Sequence, residues 1–206
     1  MLGFYNYTVI LTYIGMLAGF TGISYAVNGD THLAMILLMV AGVCDMFDGA
    51  IASTMERTRK EKNFGIQIDS LSDLICFGVL PAILVYRLSA HSFISLYISG
   101  LYVLAALIRL AWFNVDEAER QLTETGHREF YLGLPVTSAA LVLPVLSELT
   151  YPLGFSMSKA GPIALMIMGI AFLCPFKLKK PAILGKSVMA VTGGMAMVFL
   201  VMGFDI

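Results

Sequence analysis

Charged residues are scarce in this chain. Asp, Glu, Lys and Arg make up 13% of its 206 residues and hydrophobic residues 58%, and the mean hydropathy is +0.83. About a quarter of the residues in an ordinary soluble domain are charged, so the composition excludes that class and predicts a polytopic membrane protein. An excess of positive charge is also missing, because the formal net charge is -1. No overall basic field is therefore available to attract nucleic acid.

Cysteine and histidine are equally sparse, with three residues of each. Cys44, Cys76 and Cys174 are odd in number, lie in apolar stretches and lack the spacing of metal ligands, which argues against a disulfide framework. The histidines are far apart in the sequence, so no histidine-based site is indicated. The first apolar run has no Lys/Arg-rich leader and no obvious cleavage site, and we interpret it as a retained helix rather than a signal peptide.

Long apolar runs are what the sequence has in abundance. A helix that crosses a bilayer needs about 20 apolar residues. Runs of this kind predict helices over residues 7–27, 32–56, 65–87, 93–115, 131–150, 161–176 and 184–203. We therefore expect an all-α integral membrane protein, a polytopic helical bundle of about seven transmembrane helices, with six to eight also compatible with the pattern. Residues 1–206 are expected to form a single membrane domain.

Basic residues are distributed unevenly among the predicted loops. Only Arg87 and Lys159 lie in the loops after predicted helices 3 and 5. Most of the others lie after predicted helices 2, 4 and 6: Arg57, Arg59, Lys60, Lys62, Arg120, Arg128, Lys177, Lys179 and Lys180. Lys and Arg favour cytoplasmic loops, so we expect a multi-pass protein of the cytoplasmic membrane with its N-terminus inside. Seven helices would place the C-terminus outside.

Four acidic residues lie within or beside two of the apolar segments. Asp45 and Asp48 share one face of predicted helix 2, and Asp69 and Asp73 share one face of predicted helix 3. A carboxylate at the bilayer centre costs about 2.5 to 3.5 kcal/mol, so we expect all four to face an interior cavity. The short loop between the helices makes them antiparallel neighbours and places the acids at similar depth.

Convergent carboxylates repel one another unless a cation neutralises them, and oxygen ligands suit Mg²⁺, Mn²⁺ or Ca²⁺. The small residues Gly49, Ala52 and Gly65 would let a ligand approach the backbone closely. A hard divalent ion suits phosphoryl-group chemistry, and the basic loop 57–62 lies where a phosphorylated substrate would enter. The same carboxylates could instead form a cation or proton pathway, as in transporters. From these residues alone, the two interpretations stay open.

Seven residues stand in one order across the two helices, as Asp45-x-x-Asp48-Gly49-x-x-Ala52 and Gly65-x-x-x-Asp69-x-x-x-Asp73. This arrangement resembles the signature of the CDP-alcohol phosphatidyltransferases. Four further stretches are similar to the corresponding regions of bacterial and archaeal phosphatidylserine synthases. They read FGIQIDSLSDLICFGVLPA, ALIRLAWFN, YLGLPVTSAA and PFKLKKP.

The resemblance implies transfer of the phosphatidyl group from CDP-diacylglycerol to the hydroxyl of L-serine, with release of CMP. It also implies a homodimer that needs Mg²⁺ or Mn²⁺. In the family the first three acids, here Asp45, Asp48 and Asp69, bind the metal. The last acid, Asp73, borders the metal site and is the proposed general base. The nucleotide pocket would be lined by Gly49, Ala52 and Gly65.

One position departs from the family pattern. The family usually has Arg after the Ala of the signature, whereas this chain has Ser53, and the interval from Ser53 to Gly65 is longer than usual. Arg57 is four residues beyond Ser53, which would place it on the same helix face one turn nearer the cytoplasm. We expect Arg57 to supply the missing cation in the nucleotide site by reaching back to the pyrophosphate.

Two residues of predicted helix 4 complete the candidate site. Arg109 lies too deep in the helix to be a casual surface charge. Its guanidinium would suit a phosphate or the serine carboxylate, and an ion pair with one of the four acids is the alternative. Asn114, at the predicted helix end, is either a cap or a substrate contact.

The substrates have alternatives within the family. The acceptor could be inositol phosphate or glycerol phosphate instead of serine, and the donor could be an archaeal lipid.

Overall fold

The computed structural model describes residues 3–123, 130–150, 154–179, 193–198 and 200. Residues 193–198 and 200 are helical and fall within the predicted helix 184–203, most of which lies outside the described residues. The other helices and strands, in chain order, are α1 (Tyr7–Asn28), α2 (Thr31–Ala52), α3 (Arg59–Asp73), α4 (Leu80–Leu88), α5 (Phe93–Thr123), β1 (Phe130–Leu132), α6 (Ala139–Thr150), α7 (Met157–Leu173) and β2 (Lys177–Lys179).

Four helical segments of the described chain are long and apolar enough to cross a membrane: Tyr7–Asn28, Thr31–Ala52, Arg59–Leu88 and Phe93–Arg120. Two shorter apolar helices span Val136–Thr150 and Met157–Leu173. Large apolar side chains stay exposed on the outer faces, among them Leu17 of α1 and Trp112 of α5. Such faces suit lipid, where apolar exposure carries no penalty. The expectation of an all-α, multi-pass membrane protein is confirmed.

The N-terminal helix packs closely against the helices that carry the four acids. A Cβ built on Gly15 would lie 3.1 Å from the Cβ of Cys44, and one on Gly19 would lie 3.2 Å from the Cα of Cys76. Only a residue without a side chain allows backbones to approach this closely. The two glycines therefore place α1 beside both α2 and the chain just after α3.

The boundaries of α2 and α3 differ from the prediction. The second helix ends at Ala52 instead of 56, and the third begins at Arg59 instead of 65. Thr58 and Glu61 form a capping box, in which Glu61 N donates to Thr58 Oγ1 (3.3 Å) and Thr58 N donates to Glu61 Oε2 (2.9 Å). Arg57 consequently lies in the turn between the helices. Its predicted place on a helix face below Ser53 was wrong.

The third predicted helix is longer than expected and contains a π-helical turn, which we call the wide turn. Residues 74–79 are π-helical, and they join α3 to α4 as one segment over Arg59–Leu88. The Leu80 N–H bonds to the carbonyl of Ile75, five residues back instead of four. Wide turns of this kind are often found at functional sites, and this one starts directly after Asp73.

A small β ladder lies at the C-terminal end of α7. The strands β1 and β2 are antiparallel, with Tyr131 opposite Leu178, where the prediction had a helix from 131. Gly133, at φ +73°, follows β1, and its N–H donates to the carbonyl of Phe176 at 2.8 Å. A 3₁₀ turn over Val136–Ser138 then leads into α6. Because β2 follows α7, the ladder places β1 beside the C-terminal end of α7.

Candidate active site

Two helices bring the four acids face to face. Asp45, Asp48 and Asp69 each offer an oxygen, and these oxygens all lie within 4.8 Å of one another. The carboxyl group of Asp73 is within hydrogen-bonding reach of Asp45, and that of Asp69 is within reach of Asp48. The acids thus form two pairs between antiparallel helices. Asp48 and Asp69 form the pair nearer the α2–α3 turn, and Asp45 and Asp73 form the pair farther from it.

The arrangement of these carboxylates fits a hard divalent metal ion. Thr12 of α1 donates its hydroxyl to Asp48 Oδ2 at 3.0 Å. In contrast, Asp69 Oδ1 is buried and has no hydrogen-bond partner among the described residues. A buried carboxylate oxygen left without a partner is costly, and a cation among three carboxylates would remove that cost. Oxygen-only ligation is also the preference of Mg²⁺ and Mn²⁺.

The acids line a small cavity of about 10 Å³, which is the size needed for roughly one water molecule or ion. Its walls come from α1, α2, α3 and the π-helical turn. The lining residues are Thr12, Gly15, Met16, Ala41, Cys44, Asp45, Asp48, Asp69, Ser72, Asp73, Cys76 and Phe77. All four acids therefore share one cavity, and three helices define its shape.

The signature glycines lie on the side of the acids nearest the α2–α3 turn. A Cβ built on Gly49 would meet no described atom within 4 Å, so this face of α2 is open. One built on Gly65 would lie 3.2 Å from Arg57 Nη1, and Arg57 Nε is buried without a partner among the described residues. The guanidinium thus lies beside the second signature glycine, although it reaches there from the turn.

The last residues of α2 are held by their own helix. The hydroxyl of Ser53 donates to the Ala50 carbonyl at 2.6 Å, so at this position a polar side chain ends the helix where the family usually has Arg. Ala52 is the last residue of α2 and is half-buried. Neither side chain supplies a positive charge, which leaves Arg57 as the cation placed beside Gly65.

The N-terminal segment fixes the turn that carries Arg57. Asn6 Nδ2 donates to Glu61 Oε1 at 3.3 Å, and the rings of Phe4 and Phe64 meet edge to face with centroids 5.4 Å apart. The hydroxyls of Tyr7 and Thr54 are 3.1 Å apart. These contacts were not predicted from the sequence. The spacing Thr58-x-x-Glu61 was the available signal, because Thr followed three residues later by Glu is typical of a helix start.

Asn114 and Arg109 lie on α5, which packs against α3. Asn114 accepts a hydrogen bond from Ser70 Oγ (2.7 Å) and donates to Gln67 Oε1 (3.3 Å). Since α5 continues to Thr123, Asn114 is not a helix cap; it ties α5 to α3 beside Asp69. Arg109 is only 7% exposed, and its guanidinium carbon lies 6.0 Å from the centre of the Phe113 ring.

Comparison with known proteins agrees with this geometry. The family model of the CDP-alcohol phosphatidyltransferases matches residues 5–202. A Helicobacter pylori CDP-diacylglycerol–serine O-phosphatidyltransferase is 32% identical over 151 residues, which are 71% of this chain and 60% of that protein. An archaetidylserine synthase of Methanothermobacter thermautotrophicus is 33% identical over 135 residues, 65% of this chain and 54% of that protein.

A third relative is matched over most of its length. The CDP-diacylglycerol–serine O-phosphatidyltransferase of Bacillus subtilis is 25% identical over 170 residues, which are 81% of this chain and 90% of that protein. The chain thus spans between half and two thirds of the first two relatives and nearly all of the third. With the family model matched over residues 5–202, the chain belongs to the CDP-alcohol phosphatidyltransferase family.

Proposed function

We propose that this protein transfers the phosphatidyl group of CDP-diacylglycerol to the hydroxyl of L-serine and releases CMP. The observation that carries the proposal is the carboxylate cluster of Asp45, Asp48 and Asp69, with a partnerless buried oxygen on Asp69 and the further acid Asp73 beside it. Two of the relatives described above are named for transfer to serine. The donor and acceptor are therefore assigned by combining this geometry with those names.

In the proposed reaction, Asp73 takes the proton of the serine hydroxyl. The hydroxyl oxygen forms a bond to the phosphorus that carries diacylglycerol, and the bond from that phosphorus to the CMP oxygen breaks. A serine hydroxyl is a poor nucleophile until a base accepts its proton. A Mg²⁺ or Mn²⁺ ion held by Asp45, Asp48 and Asp69, with Asp73 at its border, would neutralise charge on the phosphate oxygens.

The nucleotide end of the donor is assigned to the side of α2 and α3 nearest the turn. Gly49, Ala52 and Gly65 would admit the ligand close to the backbone, with Ser53 at the end of α2. Arg57 would place its guanidinium on the pyrophosphate, for which a planar fork of donors is well suited. The open face of Gly49 and the position of Arg57 beside Gly65 support this assignment.

The acceptor is assigned to the α3–α5 side of the acids. Arg109 would bind the serine carboxylate or a donor phosphate, and Asn114 would contact the substrate from its place beside Ser70. The lipid tails would stay in the bilayer, with the site on the cytoplasmic side of the cell membrane. A single membrane domain assembled as a homodimer completes the proposal.

A second donor is favoured by one observation. The archaeal relative is an archaetidylserine synthase. The site as proposed contacts the acceptor and the cytidine diphosphate group of the donor, and the diacyl and archaeal donors share that group. Discrimination between diacyl and archaeal lipid donors would then depend on surfaces outside the carboxylate cluster.

The test is release of CMP by the detergent-purified protein with Mg²⁺ or Mn²⁺. L-serine, inositol phosphate and glycerol 3-phosphate are compared as acceptors, and Asp73→Asn is the control. Serine-dependent release that disappears in Asp73→Asn is expected. Release with another alcohol would retain the site and remove the serine assignment, whereas no release with any acceptor, from folded protein that binds Mn²⁺, would favour cation transport.

A further inference from the structure

The wide turn after Asp73 has a cause in the sequence. Proline has no N–H, so Pro81 cannot give the carbonyl of Phe77 the hydrogen bond that a regular helix makes four residues back. The π-helical residues 74–79 lie directly before this gap in the hydrogen-bond pattern, and Leu80 bonds to Ile75 across the wide turn. The chain thus departs from a regular helix between Asp73 and Pro81.

A tyrosine from another helix donates a hydrogen bond to the Phe77 carbonyl that Pro81 leaves free. The hydroxyl of Tyr102, on α5, donates to the carbonyl oxygen of Phe77 at 2.7 Å, and Tyr102 is 1% exposed. Its ring packs against that of Phe172 of α7, with ring centroids 5.4 Å apart. Because the ring is fixed by packing, loss of the hydroxyl alone would remove the hydrogen bond and leave the ring in place.

The wide turn is also in contact with the active-site cavity. Cys76 and Phe77 belong to the turn, and both line the cavity that holds the acids. The thiol of Cys76 donates to the carbonyl of Gly15 at 3.4 Å. A change in the pitch of this turn would therefore shift the cavity wall and rotate Asp73, the residue just before it, relative to Asp45.

We propose that Tyr102 is a positioning residue for Asp73. Its hydrogen bond to Phe77 stabilises the wide turn, and the turn sets the direction from which the Asp73 carboxylate faces the acceptor hydroxyl. This inference rests on the proposed function for its catalytic consequence. Its structural part, the dependence of the turn on the Tyr102 hydroxyl, stands independently of that function.

The test compares Tyr102→Phe with Ser99→Ala. Ser99 is a matched control because its buried hydroxyl also donates from α5 to a carbonyl of the same segment, that of Ala82 at 3.0 Å, beyond the wide turn. Tyr102→Phe is expected to lower kcat for serine-dependent CMP release by roughly tenfold or more, because a displacement of about 1 Å at a reacting group can cost 10²-fold. KM for CDP-diacylglycerol should stay unchanged, and Ser99→Ala should retain the wild-type kcat.

Hydrogen–deuterium exchange of the same three proteins gives a measurement that needs no activity. Tyr102→Phe should speed exchange in the peptide covering residues 74–82, and Ser99→Ala should not. Unchanged exchange in Tyr102→Phe, or equal kcat values for the two variants, would overturn the inference. Wild-type protein without CMP release would contradict the proposed function instead, and the exchange result would still decide the role of Tyr102 in the turn.

Discussion

The partnerless oxygen of Asp69 offers the sharpest residue-scale test of the metal site. Asp69→Asn replaces one carboxylate oxygen by an amide nitrogen and removes the negative charge, so it should weaken Mn²⁺ binding. Loss of an outer-shell partner of a metal costs about 10- to 100-fold in affinity, so loss of a ligand should cost at least as much. Asp30→Asn is the control, because Asp30 is an exposed cap that accepts from Leu33 N and Asn caps equally well. Equal Mn²⁺ affinity in both variants, measured by calorimetry, would contradict the site.

Arg57 is the residue to test for the nucleotide site. Arg57→Ala should raise KM for CDP-diacylglycerol by about tenfold or more, because a hydrogen bond to a charged group contributes about 1.5 to 3 kcal/mol. The effect on kcat should be smaller, since Arg57 is assigned to binding. Arg59→Ala is a matched control, because Arg59 is exposed in the first turn of α3. An Arg57→Ala enzyme with unchanged KM would remove Arg57 from the nucleotide site.

The acids could be predicted residue by residue, whereas Arg57 and Asn114 could be predicted only in part. Spacings of three and four residues place Asp45 with Asp48 and Asp69 with Asp73 in any helix. The position of Arg57 depends on where α2 ends, which is at Ala52, four residues before the predicted end. That of Asn114 depends on α5 continuing to Thr123. Both are properties of helix ends, which a hydrophobic run does not define.

At the scale of elements, the start of α3 positions the turn before it. Thr58→Ala removes the capping box and should lower the free energy of unfolding by about 0.5 to 2 kcal/mol. It should also raise KM for CDP-diacylglycerol, because the turn that carries Arg57 loses the hydrogen bonds between the Thr58 hydroxyl and Glu61. Lys62→Ala, an exposed change in the same helix, is the control. A lower melting temperature with unchanged KM would show that the cap stabilises α3 without positioning Arg57.

The close contact of α1 with the wide turn gives a second prediction for an element. Gly19→Ala adds a Cβ 3.2 Å from the Cα of Cys76, and overpacking of this kind costs about 1 to 3 kcal/mol. Gly100→Ala is the control, because a Cβ there meets no described atom within 4 Å. We expect a lower melting temperature and lower CMP release for Gly19→Ala only. Equal behaviour of the two variants would argue that α1 can move away from the turn at little cost.

Helices were predictable as elements, but the wide turn and the ladder were not. Apolar runs of spanning length predict α1, α2 and α5 directly. Pro81 marks a break in the helix, but the hydroxyl that bonds the freed carbonyl of Phe77 is 25 residues away in the sequence. The ladder pairs Phe130–Leu132 with Lys177–Lys179, which are separated by α6 and α7. Interactions between segments so distant in sequence leave no local periodicity.

For the whole molecule, the distribution of basic residues predicts which ends of the helices face the cytoplasm. Cysteine introduced at Asn63, near the start of α3, should react with a membrane-impermeant maleimide only when the inner face is opened. Cysteine at Ser92, between α4 and α5, should react from outside. Both positions are exposed. The background carries Cys174→Ser because Cys174 is exposed and would itself be labelled, whereas Cys44 and Cys76 are buried and can stay. Reversed labelling would invert the proposed orientation.

The open face of Gly49 has a chemical consequence for the proposed reaction. A cavity of about 10 Å³ leaves room for roughly one water molecule or ion, so the donor would lie along the open side of α2 rather than inside a closed chamber. Water that reaches this side would meet the same base as the acceptor does. Without an alcohol present, we expect slow hydrolysis of CDP-diacylglycerol to phosphatidic acid. An alcohol bound in the acceptor site would suppress this side reaction by excluding water.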